Sequence, residues 1–428
     1  MVKFAMNGRE ARAARFAICA ILCLAVLSCG GSDGSVASSG SSSGGGTSTG
    51  SNVASVVVDA GPLPTTAGDV NTLFTTVTVC VPGSTTKCQT IDHIQVDTGS
   101  YGLRILSSVL TLALPVQTAS NGDAIVECTQ FVDGYSWGPV ALADAQISGE
   151  SAASLPIQVI GDPNYATVPS DCSSIGPAED TVAQFGANGI LGIGTFAQDC
   201  GPNCAAAAQS PNYYACTSSA CVATALALTN QVANPITFFA TDNNGVIIQL
   251  PGVAAGGAAT VTGSMIFGID TQTNNKSGSQ TVLTVVGSTG LAGQVPGTFT
   301  TVFNGGSLSE SFLDTGSNGL YFNDSSLATC TESGLTTFYC PASTENFSAT
   351  LKGQNGMSAS ATFSVAPADS LGAGDVSLVA FSNLAGTYPN TSDTDTFDWG
   401  LPFFYGRSVY TVIEGATTAV GTGPYVAF

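Results

Sequence analysis

The chain has little charge, and most of the charge that it has is negative. Charged residues make up 9% of the 428 residues, with 9 lysines and arginines against 29 aspartates and glutamates and a formal net charge of −20. Nucleic acids and anionic membrane surfaces are bound mainly through clustered cations. The scarcity of cations therefore excludes nucleic acid as a partner, and it excludes a membrane surface held by charge.

Histidine is scarcer still, because His93 is the only one in the chain. Serine-hydrolase relays and most zinc enzymes need a well-placed imidazole, so either activity would have to use this residue. A lone histidine in a β-type run is more often structural than catalytic, and no role is assigned to it. Glycine-rich stretches such as residues 252–257 lack the spacing of a phosphate-binding loop. We therefore expect neither a metal nor an organic cofactor.

The N-terminus is typical of an export signal. Several cations precede an apolar run, residues 16–28, that is shorter than the roughly 20 residues needed to span a bilayer. Val26-Leu27-Ser28-Cys29 resembles a bacterial lipobox, in which the cysteine becomes the lipidated first residue of the mature protein. Alternatively, Cys29 is an ordinary cysteine of a secretory leader that is cleaved off. Residues 30–52 are mostly glycine, serine and threonine, which predicts a flexible tether.

These features predict a signal peptide over residues 1–28 and a lipidated Cys29 with its tether over residues 29–52. They predict export to the bacterial envelope, with the lipid as the only contact with the membrane. Gly30, rather than an acidic residue, follows the cysteine. This favours sorting to the outer membrane.

The number of cysteines agrees with export. Of the 13 cysteines, three lie in residues 1–29, which leaves ten, an even number that suits disulfides in an oxidising compartment. Cys80 with Cys88 and Cys330 with Cys340 are candidates for local hairpin disulfides, and the other pairings stay open. A zinc site is a less favoured alternative for four further cysteines: Cys200, Cys204, Cys216 and Cys221.

From residue 53 onward the sequence predicts a mostly β protein with few short helices. Short runs rich in Val, Ile, Thr and Phe, such as residues 73–81 and 410–413, are separated by Gly, Pro, Asn and Asp. The main helix is expected over residues 221–232, which are rich in Ala and Leu and lack Gly and Pro. The polar stretch 271–280 is the best candidate for a link between two halves of the chain.

An internal repeat carries more information than any of these patterns. Residues 94–105 read IQVDTGSYGLRI and residues 311–322 read SFLDTGSNGLYF, so that six of the twelve aligned positions are identical. We call these segments the first copy and the second copy. A single Asp-Thr-Gly is usually an ordinary turn. Two DTGS sequences within matching hydrophobic frames are a poor fit to chance and predict a duplicated structural unit.

Each copy places an aspartate directly after a β-type run. If the copies face each other, Asp97 and Asp314 come within hydrogen-bonding reach, share a proton and can activate a water molecule for attack on an amide carbonyl. The intervening glycines permit a tight turn and a close approach of the two loops. Thr98 and Thr315 are expected to tie the loops together, and Ser100 and Ser317 to orient the carboxylates. With Gly99 and Gly316, these residues are the predicted support of the catalytic pair.

The paired motif resembles that of the pepsin-like aspartic proteases, and the resemblance spans most of the mature chain. Residues 131–149 resemble the flap hairpin, 189–194 and 399–413 resemble the segments under the two DTG loops, and 263–270 resembles the strand that closes the first lobe. The resemblance implies a bilobal acid-protease fold with two pseudo-twofold-related, β-barrel-like lobes, residues 53–275 and 276–428. It also implies that Asp97 and Asp314 are the catalytic residues.

Three aromatic residues are candidates for the flap. Phe131 falls where the resemblance places the flap tyrosine, and Tyr135 and Trp137 are substitutes for it; alternatively, all three cover a hydrophobic face of a sheet.

The second copy also departs from the family pattern. Asp398 occupies a place that is normally hydrophobic, and Leu401 stands where many relatives carry an acid.

Two functions follow from the sequence. The first is a lipid-anchored, monomeric aspartic endopeptidase that cleaves extended peptides or proteins held between its lobes. The second is a surface or periplasmic binding module that keeps the fold with weak or no activity. The two intact aspartates favour the first, and the unusual flap favours the second.

Overall fold

The computed structural model describes residues 51–62, 70–290, 293–373, 375–390 and 392–428. The predicted signal peptide, Cys29 and nearly all of the tether lie outside these residues.

Strands account for most of the regular structure, which confirms the mostly β prediction. The strands alternate with turns in which glycine and asparagine take left-handed backbone conformations, such as Asn71 with a φ of 52° and Gly268 with a φ of 76°. The strands, in chain order, are β1 (Val53–Val58), β2 (Leu73–Cys80), β3 (Cys88–Asp97), β4 (Tyr101–Leu106), β5 (Ala124–Gln130), β6 (Tyr135–Ile147), β7 (Glu150–Ile160), β8 (Gly189–Ile193), β9 (Tyr213–Cys216), β10 (Cys221–Ala223), β11 (Gly245–Gln249), β12 (Val261–Phe267), β13 (Val282–Thr284), β14 (Phe299–Phe303), β15 (Gly306–Leu313), β16 (Leu320–Phe322), β17 (Glu345–Lys352), β18 (Ser358–Val365), β19 (Ala385–Gly386), β20 (Phe397–Trp399), β21 (Ser408–Val412), β22 (Thr417–Thr418), β23 (Gly421–Thr422) and β24 (Tyr425–Ala427).

The helices are few and short. The first, α1, begins after Thr181, whose hydroxyl accepts a hydrogen bond from the Gln184 N–H, and ends at Gly186 with a φ of 71°. None of the helices in the described residues is long and apolar enough to cross a membrane. The α-helices are α1 (Val182–Phe185) and α2 (Pro202–Ala206), and the 3₁₀ helices are Pro163–Tyr165, Leu228–Asn230, Pro235–Phe238, Ala368–Ser370 and Leu401–Phe403.

The helix predicted over residues 221–232 is wrong. Cys221–Ala223 forms β10, which pairs antiparallel with β9 and is held there by the Cys216–Cys221 disulfide. Only Leu228–Asn230 makes a helical turn, and it is a single 3₁₀ turn. The helix propensity of the Ala and Leu residues is overridden by strand pairing and the disulfide.

The strands form two main sheets. The larger has 15 strands in the order β10-β9-β5-β6-β7-β4-β8-β3-β2-β1-β12-β11-β21-β24-β13, and the other has seven in the order β18-β17-β14-β15-β20-β16-β19. An additional pairing of β2 with β6 closes β6, β7, β4, β8, β3 and β2 into a barrel. The large sheet also takes in β13, β21 and β24 from the C-terminal part of the chain.

The two copies have the same strand pattern. In the first copy, β3 runs parallel to β8, β8 is antiparallel to β4, and β4 is parallel to β7. In the second copy, β15 runs parallel to β20, β20 is antiparallel to β16, and β16 is parallel to β19. The sequence repeat is therefore also a repeat of local topology.

The core is continuous across the sheets. A single cluster of buried side chains runs from Val56 and Ile94 in the large sheet to Phe397 and Trp399 in the other. Around the second copy the packing is mainly aromatic: Phe397 stacks on Trp399 with ring centroids 4.0 Å apart and on Phe322 at 4.6 Å. This packing fixes the strands on either side of the second DTGS loop.

Five disulfides confirm the prediction that the ten remaining cysteines are oxidised. The two pairings predicted from the sequence, Cys80–Cys88 and Cys330–Cys340, are both present. The four cysteines considered for a zinc site are joined to each other as two disulfides instead, Cys200–Cys204 and Cys216–Cys221. Cys128–Cys172 is the longest-range bridge, with a sequence separation of 44.

Candidate functional site

The two DTGS loops meet, and both aspartates are buried where they meet. Asp97 is the last residue of β3 and lies opposite Gly192 of β8, and its exposed fraction is 1%. Asp314 follows β15 directly, is 0% exposed, and donates its backbone N–H to the carbonyl of Trp399 at 3.0 Å. Because burial penalises ionised carboxylates, this placement needs a specific compensation.

The threonines of the two loops lock the loops together by four reciprocal hydrogen bonds. The Thr98 N–H donates to Thr315 Oγ1 at 3.1 Å, and the Thr315 N–H donates to Thr98 Oγ1 at 3.0 Å. Each hydroxyl then donates to the strand of the other copy, from Thr98 to the carbonyl of Leu313 at 3.0 Å and from Thr315 to that of Val96 at 2.8 Å. The distance between the aspartates is thus set by bonds that cross between the copies.

The glycines allow the loops to come this close. A Cβ at Gly99 would lie 2.6 Å from Cγ of Asp314, and a Cβ at Gly316 would lie 2.6 Å from Oδ1 of Asp97. Each glycine also donates its N–H to the aspartate of its own loop at 2.7 Å. Glycine is therefore required here for a close approach, and it supplies a donor to each carboxylate.

The electrostatics favour a proton on Asp314. Burial raises the pKa of Asp314 well above its usual value, and the negative charges of Asp97 and Asp398 and a hydrogen bond with the Asp97 carboxyl raise it further. The Gly316 N–H offsets a part of this rise. Two close carboxyl groups in a buried site cannot both ionise easily, which opposes loss of the proton from Asp314.

The serines break the symmetry of the pair. Ser317 donates its hydroxyl to Oδ2 of Asp314 at 2.9 Å. Ser100, at the matching position, is buried, and its Oγ has no hydrogen-bond partner within the described residues. The orientation of the carboxylate expected for both serines is thus seen for Ser317 and not for Ser100.

Two cavities lie beside the pair. One has a volume of about 480 Å³ and is lined by Gly99, Tyr101, Thr129 and Asp199, among others. The other has a volume of about 160 Å³ and is lined by Gly99, Tyr101 and Leu313, among others. The first DTGS loop therefore borders space of the size of amino-acid side chains.

A protein-family model matches residues 48–428, which include every residue after the predicted tether. The chain belongs to the family described as protein of unknown function (DUF3443). Comparison with curated proteins gives no match.

The predicted flap is a hairpin, but its aromatic side chains are packed into the sheets. The antiparallel strands β5 and β6 form the hairpin around residues 131–134. Phe131 is 2% exposed and packs edge-on against Phe185, with ring centroids 6.1 Å apart. Trp137 is buried against Tyr214 and donates its Nε1–H to the carbonyl of Tyr165 at 2.7 Å. For Phe131 and Trp137 these contacts match the alternative of covering a sheet face.

The contacts of Tyr135 and His93 are with residues outside the two DTGS loops. The Tyr135 backbone pairs with residues 177–179, and its side chain is only partly buried. His93 lies in an irregular part of β3, 3.4 Å from an Asp59 oxygen and 3.2 Å from an Asp92 oxygen, and its ring packs against Phe74.

The structure also brings together charged residues that no sequence pattern connects. Arg104 is fully buried and donates to Oε1 of Glu127 at 2.6 Å and to Oδ2 of Asp199 at 3.3 Å. Burial raises the pKa of Asp199 well above its usual value, and the Glu127 charge raises it further. The Tyr213 hydroxyl donates to Asp199 Oδ1 at 2.5 Å and accepts the Val232 N–H. These residues are far apart in sequence, so no local motif connects them.

Tyr101 is the other residue that sequence reasoning missed. It follows the first DTGS, lines both cavities, and packs against Phe196 with ring centroids 5.2 Å apart. Burial raises its pKa, a hydrogen bond with Thr195 lowers it, and the charges of Asp97 and Asp314 raise it, which places the hydroxyl near the pair. The only signal in the sequence was its position, directly after the motif.

Proposed function

We propose that this chain is an aspartic endopeptidase that hydrolyses peptide bonds with a water molecule activated by Asp97 and Asp314. The observation that carries the proposal is the pair itself: two buried carboxyl groups whose loops are joined by reciprocal Thr98–Thr315 hydrogen bonds. A buried pair that is held this closely has no evident structural benefit, because it costs free energy of desolvation and of charge repulsion.

In the proposed mechanism the two aspartates have different roles. Asp314, whose pKa is raised, holds the shared proton and donates it to the carbonyl oxygen of the substrate. Asp97 is the general base and removes a proton from the attacking water. The N–H groups of Gly99 and Gly316 and the hydroxyl of Ser317 hold the carboxylates in place.

The proposed fold is the bilobal pepsin-like one. The repeated strand pattern around β3 and β15 supports it, because each DTGS strand is flanked in the same order by a parallel and an antiparallel partner strand. The barrel that contains β3 supports a first lobe over residues 53–275, and the seven-stranded sheet supports a second over residues 276–428. The substrate proposed for the space between them is an extended peptide or protein segment.

We also propose that the protein works as a monomer at the end of a lipid anchor on Cys29, in the outer membrane of a bacterial envelope. The support is the apolar run before Cys29, the tether after it, and the five disulfides, which suit an oxidising compartment. Mass spectrometry of the mature N-terminus tests the anchor. An unmodified start beyond residue 29 would contradict it.

The alternative function is a binding module with the same fold and little or no activity. The burial of Phe131 and Trp137 favours it, because neither aromatic side chain is free to cover a substrate from the flap. The module would hold a peptide or a glycan in the same place.

One experiment separates the two functions. Purified mature protein is incubated with a diverse peptide library between about pH 3 and 7, with Asp97→Asn and Asp314→Asn as test variants and the exposed Asp395→Asn as the matched control. An amide cannot serve as the base or share the proton, so each test variant should lose cleavage, whereas the control should keep it. A statine-type inhibitor, whose hydroxyl imitates the attacking water, should raise the melting temperature of the wild type. Absence of both cleavage and inhibitor binding would favour the binding module.

A further inference from the structure

A third carboxyl group is buried behind the aspartate pair. Asp398 lies on β20, which runs parallel to β15 with Phe312 opposite Asp398 and Leu313 opposite Trp399. Its neighbour Trp399 accepts the backbone N–H of Asp314, and Leu401 donates its N–H to the carbonyl of Ser317 at 2.8 Å. The strand that carries Asp398 therefore supports the second DTGS loop directly.

This carboxyl group has no partner of the usual kind. Asp398 is 0% exposed, and within the described residues neither of its Oδ atoms has a hydrogen-bond partner. The Ser317 hydroxyl donates to Oδ2 of Asp314, and its proximity to Asp398 lowers the pKa of that carboxyl group. A buried aspartate without compensation is costly, so its presence needs an explanation other than stability.

The first copy shows what the position holds without this acid. Ile190 on β8 lies opposite Gln95, two residues before Asp97, just as Asp398 lies opposite Phe312, two residues before Asp314. The equivalent of Asp398 is therefore an isoleucine, which packs in a hydrophobic cluster. The second copy differs by a carboxyl group placed beside its catalytic loop.

The groups that face Asp398 are the two aspartates and two tyrosines. Burial raises the pKa of Asp398 well above its usual value, Ser317 offsets a part of this, and the charge of Asp97 adds to the rise. Asp398 in turn raises the pKa of Asp314. Burial raises the pKa values of Tyr321 on β16 and Tyr388 after β19, and the charge of Asp398 raises them further, so both hydroxyls stay neutral.

We propose that Asp398 forms a three-carboxyl cluster with Asp97 and Asp314, beside the Ser317 hydroxyl, and that it acts as a positioning residue which keeps a proton on Asp314. At low pH all three groups are protonated, and the first proton lost comes from the pair, which produces the active form. As the pH rises further, Asp398 supplies an alternative site of ionisation, so the proton on Asp314 is retained to a higher pH.

The catalytic consequence rests on the proposed peptidase function. In Asp398→Asn the amide is neutral at every pH. Asp398 in the wild type is also neutral at low pH, so the substitution should leave the acid limb of the pH–rate profile in place. The alkaline limb should move to lower pH by about one unit, because the pair then loses its last proton without the neighbouring charge. A purely structural role would lower the rate at all pH values without a one-sided shift.

A measurement of stability tests the cluster without any activity. Melting temperatures are compared between pH 4 and pH 8 for wild type, Asp398→Asn, Asp97→Asn and the double variant, with Asp395→Asn as the exposed control. The pKa of Asp398 is raised in the folded state, so the stability that this group contributes is lost as the pH rises. The melting temperature of Asp398→Asn should therefore gain relative to that of the wild type as the pH approaches 8. This gain should be smaller in the Asp97→Asn background, because the charge of Asp97 is the one that opposes ionisation of Asp398.

The outcomes separate the inference from the proposed function. Equal gains in the two backgrounds, or no gain that depends on pH, would overturn the cluster even if the protein cleaves peptides. A coupled gain in a protein that cleaves nothing would keep the cluster and reject the peptidase. If Asp398→Asn fails to fold, Asp398→Ile, which copies Ile190 of the first copy, takes its place in the same cycle.

Discussion

Alanine at Gly316 tests the close approach of the two loops. The added Cβ would lie 2.6 Å from Oδ1 and 2.7 Å from Cγ of Asp97, and 2.9 Å from Oδ1 of Asp314. Ordinary contacts of this kind begin at 3.4 Å, so the Asp97 carboxyl must move by about 0.8 Å. The backbone of Gly316 is not left-handed, and alanine therefore adds no backbone strain.

The magnitude follows from this displacement. Overpacking a site that cannot relax costs about 1–3 kcal/mol of folding free energy. A misplacement of about 1 Å in a catalytic arrangement lowers the rate by about 100-fold. We therefore expect Gly316→Ala to be folded, to melt a few degrees below the wild type and to have lost nearly all peptidase activity.

The assay combines thermal unfolding, followed by circular dichroism, with peptide cleavage. Gly256→Ala is the matched control, since nothing lies within 4 Å of its added Cβ and its backbone is not left-handed. The control should keep the melting temperature and activity of the wild type. A Gly316→Ala protein that matches the wild type in both respects would refute the geometry of the pair, and an unchanged melting temperature alone would already contradict the steric argument.

Three further predictions concern the loops, the disulfides and pH. Thr315→Val leaves the Thr98 N–H and the Val96 carbonyl without their partner and should cost about 1–3 kcal/mol of folding free energy in urea unfolding, whereas Thr262→Val, at an exposed strand position, should cost little. Thiol titration of the denatured, unreduced mature protein should find at most a trace of free thiol, and two or more thiols per chain would contradict the five disulfides. The pKa values of Asp199, Asp314 and Asp398 are raised on folding, so the stability that these groups contribute is complete below about pH 4 and is lost as the pH rises through their folded pKa values. The melting temperature should therefore be higher at pH 4.5 than at pH 7.5, and a higher value at pH 7.5 would reverse the sign assigned to these groups.

The meeting of the two DTGS loops could be predicted because the motif is local in sequence and occurs twice. Each copy carries the acid, the glycine and the β-type run within a few residues, and duplication implies that the copies face each other. The hairpin disulfides Cys80–Cys88 and Cys330–Cys340 were predictable for the same reason, since their partners are near in sequence. The mostly β composition followed from the alternation of β-type runs and turn residues.

The features that escaped prediction depend on tertiary contacts. Arg104, Glu127 and Asp199 form their cluster only after β4 and β5 and the segment after β8 have been packed together. The strand β10 forms where propensity favours helix, because β9 and a disulfide are adjacent. Phe131 lies at the position of a flap residue in the sequence, yet its ring packs in an apolar cluster with Phe185. In each case a residue far away in sequence decides the outcome.

The symmetry of the motif hides an asymmetry that arises on the neighbouring strands. In the first copy Arg104 lies opposite Ile190, and the arginine turns its charge to Glu127 and Asp199. In the second copy Tyr321 lies opposite Asp398, and the acid at this position adds negative potential beside Asp314. After burial and the charge of Asp97, this acid is the next cause of the raised pKa of Asp314, and the strand that supports the first copy, β8, carries no acid. The proposed peptidase mechanism needs such a difference, since an acid and a base must be distinct if one is to donate while the other accepts.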